Sequence, residues 1–295
     1  MVVGGAGFLG SHLVERMLAD GHAVDVVDDL SSGSLANLAA ARALGAELKI
    51  HTLDATAEQF ASLVAMRTPD VIYHLGWDAA GEPDARQAGR VIHATVGLLD
   101  AARRLGSTKV VAALPAGALY GAVAARDLPV KEGHAWEPVG LRGVLSRAIA
   151  DMLAMYRTEH AVEFTALVMA NVYGPRQRPA AGVVAAFASA VAAASPATIH
   201  GDGRQARDFL YVDDAVDALA RAAQRGDGLI VNIGTGQATS VRELWSMMAA
   251  PTSPDPVSGP QRPGEIGRIT VSPTRARIHL AWAPWTTLAT GLRSL

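Results

Sequence analysis

The stretch Val2-Val3-Gly4-Gly5-Ala6-Gly7-Phe8-Leu9-Gly10-Ser11-His12-Leu13 decides how the rest of the chain is read. A short apolar run leads into glycines at positions 4, 7 and 10, and an amphipathic stretch follows. Gly4 permits a tight turn, Gly7 lets the backbone approach a pyrophosphate, and Gly10 allows a helix to pack closely on its strand. The helix that opens here offers free N–H groups and the positive end of its dipole to phosphates. Asp28 ends the next apolar run, where a carboxylate accepts hydrogen bonds from adenosine ribose hydroxyls. That favours NAD(H), because Asp28 and Asp29 repel a 2′-phosphate, while Ser31 and Ser32 leave NADP(H) open. Phe8 and Leu9 belong to the same loop. Asp54, with Ala55, after the third strand could reach the adenine amino group or simply lead a helix, and Leu75, Gly76 and Trp77 after the fourth could flank the cofactor or simply end the strand in a turn.

Outward from this motif the chain alternates strand-like and helix-like segments. Met1–Val3, Ala23–Val27, Glu47–His51, Asp70–Leu75, Val110–Leu114 and Phe164–Met169 are short apolar runs suited to buried parallel strands. Helical stretches lie near Leu9–Asp20, Ser34–Leu44, Ala57–Met66, Ala85–Leu105 and Gly143–His160. Gly21 and Gly45 fit C′ positions, and Thr56 with Gln59 has the spacing of a capping box. The pattern predicts an α/β fold, a Rossmann-type doubly wound parallel sheet. The first strand has about three residues before Gly4; either it is short or the natural start lies upstream.

After residue 170 the regularity loosens, at Gly174-Pro175, at Gly201–Arg207 and in the Pro251–Gly264 stretch with its five prolines. A strand at Leu229–Ile233 and a capping box at Ser240/Glu243 return late. We expect residues 1–170 plus about 208–232 to form the dinucleotide-binding domain. About 171–207 and 233–295 would form a smaller, partly interleaved substrate (lid) unit.

Composition narrows the function. Of 295 residues, 50% are hydrophobic and 18% charged, enough for a packed core. A net charge of −2 gives no general grip on nucleic acid, and the absence of cysteine excludes thiol chemistry and Cys-ligated metals. The nine histidines show no metal-ligand spacing. The Ala-rich run Val183–Ala194 is shorter than the roughly 20 residues a membrane span needs and reads as a packed surface helix. No targeting segment is apparent, so a cytoplasmic protein, monomer or homodimer, is expected.

The segments GGAGFLGSHL (4–13), VVDDLSSG (26–33), HLGW (74–77), LYG (119–121), NVYGPRQ (171–177), GDGRQARDFLYVDD (201–214), NIGTG (232–236) and RPGE (262–265) together resemble the extended short-chain dehydrogenase/reductases of the NAD-dependent epimerase/dehydratase type. The resemblance implies a C-terminal unit that binds a sugar nucleotide, with Asn171, Arg207 and Arg262 near its diphosphate. It also implies a Tyr-x-x-x-Lys pair on one helix and a Ser or Thr before the Tyr-Gly dipeptide. Here Arg147 takes the lysine position, Gly143 the tyrosine position, and the loop before Tyr120-Gly121 (Ala113-Leu114-Pro115-Ala116-Gly117-Ala118) carries no hydroxyl. No Tyr-x-x-x-Lys occurs anywhere in the sequence.

Arginine stays protonated and is a poor acid, so Arg147 is expected to hold a cofactor ribose or phosphate rather than replace the tyrosine. Ser146, Thr95, His93 and Asn171 are the nearest polar candidates for a substitute acid, and no catalytic residue is assigned. Trp77 and Trp136, with Met152, Met155 and Met169, suit a pocket for an aromatic substrate bordered by Ala116 and Gly143. An alcohol-oxidising epimerase or dehydratase needs a strong base; a pseudoenzyme needs none. A carbonyl reductase loses only about 10²–10⁴-fold without its general acid. A ketone flanked by a phenolic hydroxyl carries its own acid, as aromatic polyketides do. The chain is similar in this respect to the atypical ketoreductases of angucyclinone antibiotic pathways. The expected function is reduction of an aromatic polyketide carbonyl, with the sugar-nucleotide epimerase/dehydratase lineage or a cofactor-binding pseudoenzyme as alternatives.

Overall fold

The computed structural model describes residues 1–77, 82–262 and 264–295. In chain order the strands are β1 (Val2–Val3), β2 (Val24–Asp28), β3 (Leu48–Thr52), β4 (Val71–His74), β5 (Lys109–Pro115), β6 (Phe164–Met169), β7 (Asn171–Tyr173), β8 (Thr198–His200), β9 (Ala206–Arg207), β10 (Phe209–Tyr211), β11 (Leu229–Ile233), β12 (Thr239–Ser240), β13 (Val257–Gly259) and β14 (Arg268–Ile269). The helices are α1 (Phe8–Ala19), α2 (Ala39–Ala43), α3 (Glu58–Arg67), α4 (Ala85–Leu105), α5 (Ala116–Tyr120), α6 (Gly140–His160), α7 (Val183–Ala192), α8 (Val212–Ala222), α9 (Val241–Met248), α10 (Thr274–His279) and α11 (Leu288–Leu292).

Seven strands make one parallel sheet in the order β11-β6-β5-β4-β1-β2-β3. Both of its faces are covered, which is why its strands read as continuous apolar runs. Val3, Ile72 and Val110 pack with Leu98 and Leu99 of α4 and Ile149 and Leu153 of α6. Their neighbours Val2, Tyr73 and Val111 point the other way, to Leu13 and Val14 of α1 and Leu219 of α8. β1 is short, yet it sits centrally: Met1 extends its ladder, the terminal amine donating to Val71 O at 2.8 Å. Chain direction across the sheet reverses between β1 and β4, the switch point at which such sheets open a crevice.

The smaller sheets β10-β7 and β13-β8 contribute Tyr173, Phe209 and Ile199 to a third apolar cluster with Phe187, Leu244 and Trp245, and a third small sheet has the order β12-β9-β14. Helix α4 has the bounds its pattern predicts, and the Ser240/Glu243 capping box forms. Three expectations need correction. Ser34–Leu44 splits into a 3₁₀ turn (Leu35–Leu38) and α2. Helix α6 starts at Gly140, one turn before Gly143. Thr56 and Gln59 make no capping box, because Asp54 Oδ1 takes the Thr56 N–H at 2.9 Å and α3 is preceded by Ala57 with no side-chain cap. Among the described residues no helix is long and apolar enough to cross a membrane.

Candidate functional site

A cavity of about 680 Å³ opens at the switch point, over the C-terminal ends of β1, β2, β4 and β5. Gly4, Gly7, Phe8, Leu9 and Gly10 form one wall. Gly4 has a φ of +82°, and a Cβ there would lie 2.5 Å from Gly76 Cα, so two glycine backbones cross at the cavity floor. A Cβ on Gly10 would lie 2.1 Å from Gly4 O, which fixes the close seating of α1 on the turn. α1 has no side-chain cap, and its first residues face the cavity, as an anion cradle requires. These features fit a dinucleotide pyrophosphate.

Asp28, Asp29, Ser31, Ser32, Asp54, Ala55, Leu75, Gly76 and Trp77 line the same cavity. Asp28 is buried and accepts from Ala6 N and Leu30 N, each at 2.9 Å, tying β2 to the glycine loop. Burial pushes its pKa above the usual carboxylate value, with those two amides opposing the shift. Its remaining lone pairs can accept ribose hydroxyls. Ser31 Oγ donates to Asp29 Oδ1 at 2.5 Å and is engaged there rather than free for a phosphate. Burial works against the Asp29 carboxylate, but Ser31 and Arg90 outweigh it and hold its pKa low.

At the other end the cavity is lined by Leu114, Pro115, Ala116, Gly117 and Ala118, with Val139, Met169, Asn171 and Arg207 opposite. Arg207 has Glu265 Oε1 at 3.6 Å; burial lowers its pKa, Glu265 opposes that and Arg262 adds to it. Gly143 lies under this wall rather than in it: a Cβ there would be 2.3 Å from Ala118 O. Ala118 O in turn accepts from Val139 N at 2.9 Å. Glu82 accepts from Leu141 N and from Arg142 N, the second at 3.2 Å, and so caps α6 with a carboxylate from a distant loop. Four of the residues assigned from sequence to bind cofactor or substrate fall outside the lining. Arg147 is exposed on α6 beside Asp151, at 3.6 Å. Gly143 is covered, Trp136 packs against the first core cluster, and Arg262 is exposed near Arg207.

The family profile of the NAD dependent epimerase/dehydratases matches residues 1–234. The chain belongs to this family. It is 39% identical to a UDP-glucose 4-epimerase of Mycolicibacterium smegmatis over 99% of this chain and 95% of that enzyme. The UDP-glucose 4-epimerase of Thermotoga maritima, solved with UDP-glucose, superposes with a TM-score of 0.93 at 32% identity, covering 99% of this chain and 95% of that one. The Thermus thermophilus UDP-glucose 4-epimerase, solved with NAD, gives 0.88 at 30% identity over 99% and 96% of the two chains.

The polar groups singled out from sequence as candidate acids are mostly set away from the cavity. Ser146 Oγ donates to Arg142 O at 2.7 Å within α6. Thr95 Oγ1 donates to Val91 O at 2.7 Å and accepts from His74 Nε2 at 2.9 Å. His93 is exposed on α4, and Met152 packs beside the core while Met155 is exposed. Of the candidate acids only Asn171 lines the cavity. Each tyrosine hydroxyl has a partner: Tyr73 with Met17 Sδ (3.8 Å), Tyr120 with Asn232 Oδ1 (2.8 Å), Tyr156 with Asp100 Oδ1 (3.1 Å), Tyr211 with Ser294 Oγ (2.9 Å), and Tyr173, which lines the cavity, with Leu288 O (3.3 Å). The sequence reading missed Arg90, which lines the cavity beside Asp29 and Asp54, because its partners come from two other loops.

Proposed function

We propose that the protein is a carbonyl reductase of epimerase lineage that takes the proton for its reaction from the substrate. The reading rests on the wall around Ala116: the described residues lining the cavity include no His, Lys or Glu, and the Tyr173 hydroxyl is turned to Leu288 O. In this reading Ala116, Gly143 and Arg147 stand where the family's hydroxyl, tyrosine and lysine would be, and the contact between Gly143 and Ala118 leaves no room for a side chain. Oxidising a sugar alcohol needs a base that the described residues of this wall lack, whereas reducing a ketone needs only a proton donor.

The cofactor is NAD(H), which supplies hydride chemistry when bound. Gly4, Gly7, Gly10 and the start of α1 hold the pyrophosphate, Asp28 the ribose, and Asp54 with Ala55 the adenine side. Trp77, held by its indole N–H on Ala113 O at 3.0 Å, joins Leu114, Val139 and Met169 in an apolar wall that excludes water and accepts a flat ring. The substrate class is an aromatic polyketide of angucyclinone type, its carbonyl hydrogen-bonded to an adjacent phenol. That phenol protonates the new alkoxide, and solvent reprotonates the phenolate. Methylating the phenol should lower kcat by at least tenfold with little change in KM, because the lost contact acts in the transition state. An unchanged kcat would overturn the reading.

A second reading is favoured by Arg207, partly buried against the cavity, and by the relatives' substrates: a sugar-nucleotide epimerase. Arg207 would take a diphosphate in bidentate fashion. Incubation with NAD⁺ and UDP-glucose decides it, since formation of UDP-galactose would establish this reading and displace the first.

A further inference from the structure

Arg90 occupies a position that neither the glycine motif nor the reductase reading uses. It lies in the second turn of α4, half-exposed, and its Nη2 is 2.6 Å from Asp29 Oδ2 and 3.1 Å from Asp54 Oδ2. Asp29 follows β2 and Asp54 follows the end of β3, so one guanidinium joins two cofactor loops to a third element. All three side chains line the adenosine end of the cavity beside Asp28. The other partners of these carboxylates are neutral: Ala6 and Leu30 amides for Asp28, Ser31 for Asp29 and the Thr56 amide for Asp54.

We propose that Arg90 is the specificity-determining residue of the adenosine end: it holds the two loops in place around the nucleoside and sets how strongly the three carboxylates reject a 2′-phosphate. The inference rests on the cavity being the dinucleotide site. Two physical effects follow from one guanidinium paired to both carboxylates. A planar guanidinium shared by two carboxylates limits the separation of the loops that carry them. It also cancels one of three negative charges clustered at the position that distinguishes NADH from NADPH. A neutral side chain at 90 would loosen the loops and expose the full charge, and both changes weaken binding, the second only for the phosphorylated ligand. The Arg90–Asp29 pair is exposed enough to be salt-sensitive, so the selectivity should vary with ionic strength.

The test is calorimetric titration of the purified protein with ADP-ribose and 2′-phospho-ADP-ribose, which need no turnover. The variants are Arg90→Ala, Arg90→Gln and Asp54→Asn, each with its Tm recorded. In Arg90→Ala and Arg90→Gln, Kd for ADP-ribose should rise several-fold. Kd for the 2′-phosphorylated ligand should rise about tenfold further, the scale of one charge at contact distance near a surface. Asp54→Asn removes a negative charge and should move the ratio of the two Kd values the opposite way. Opposite signs distinguish electrostatic selection from general loosening, which would weaken both ligands equally. An unchanged ratio in the Arg90 variants, or a ratio that moves the same way in Asp54→Asn, overturns the proposal. Failure of the unmodified protein to bind ADP-ribose overturns the dinucleotide reading itself, and this inference with it.

Discussion

Replacing Gly143 with alanine tests whether the wall that distinguishes this site is as closed as it looks. In an ordinary exposed helix Gly→Ala stabilises by about 1 kcal/mol through propensity. Here the added Cβ would sit 2.3 Å from Ala118 O, 3.1 Å from Ala118 C and 3.1 Å from Pro138 C. All three are backbone atoms, so relief requires moving α5 or the loop before α6 rather than rotating a side chain. Ala118 O is also the acceptor for Val139 N, and displacing it weakens a hydrogen bond with a net value of about 1 kcal/mol. Overpacking of this kind costs about 1–3 kcal/mol. The strain and the damaged bond exceed the propensity gain, so the net effect is a loss of about 1–3 kcal/mol. For a chain of 295 residues that corresponds to a fall in Tm of roughly 2–5 °C. Gly89 in α4 has nothing within 4 Å of its Cβ direction, and Gly89→Ala is the control that should raise Tm slightly. Thermal unfolding followed by circular dichroism reads both. A Tm for Gly143→Ala that rises with the control would show that position 143 is open to side chains. The argument that a tyrosine is sterically shut out would then fail. Gly143→Tyr, by the same geometry, should destabilise more than alanine and leave activity unimproved.

Gly7 lines the cavity with no Cβ, and Gly7→Val should weaken NADH binding at least tenfold by calorimetry; equal affinity would show that the pyrophosphate lies elsewhere. Asp208 is buried and accepts from Thr235 N (2.9 Å), Thr235 Oγ1 (2.6 Å), Gly236 N (2.9 Å) and Val271 N (3.3 Å), so Asp208→Asn should cost about 2–4 kcal/mol in denaturant unfolding. His74 is buried and its pKa is lowered to about 4 by desolvation, against an ordinary 6.5. Between those values the unfolded chain binds the proton and the folded one does not. Stability should therefore fall as pH drops from about 6.5 to about 4, by about 3 kcal/mol in all. His74→Gln should flatten that slope, and an identical pH profile in the variant would refute the assignment.

How much of this was legible in the sequence depends on the range of each interaction. The glycine loop, Asp28 and the parallel sheet follow from turn chemistry and apolar periodicity within βαβ units, and the fold has the predicted form. The capping box at Thr56 failed over an equally short range because Asp54, two residues earlier, competes for the same N–H. Arg147 illustrates a conflict between two signals. Family position assigns it to the cofactor, while its spacing to Asp151 is that of an exposed helical ion pair, and the structure has the ion pair. Arg90 gave no local signal, since Asp29 lies 61 residues away and meets it only once β2 and α4 are docked on the sheet. Gly143 is the instructive case. In sequence it reads as a deletion, a tyrosine reduced to nothing, and a deletion leaves a hole that a substitution could refill. In the structure no hole remains, because the Ala118 carbonyl occupies the space and is anchored there by Val139 N. In the reading proposed above, placing a tyrosine at 143 would require rebuilding the α5–α6 contact as well, because the added Cβ meets the Ala118 carbonyl.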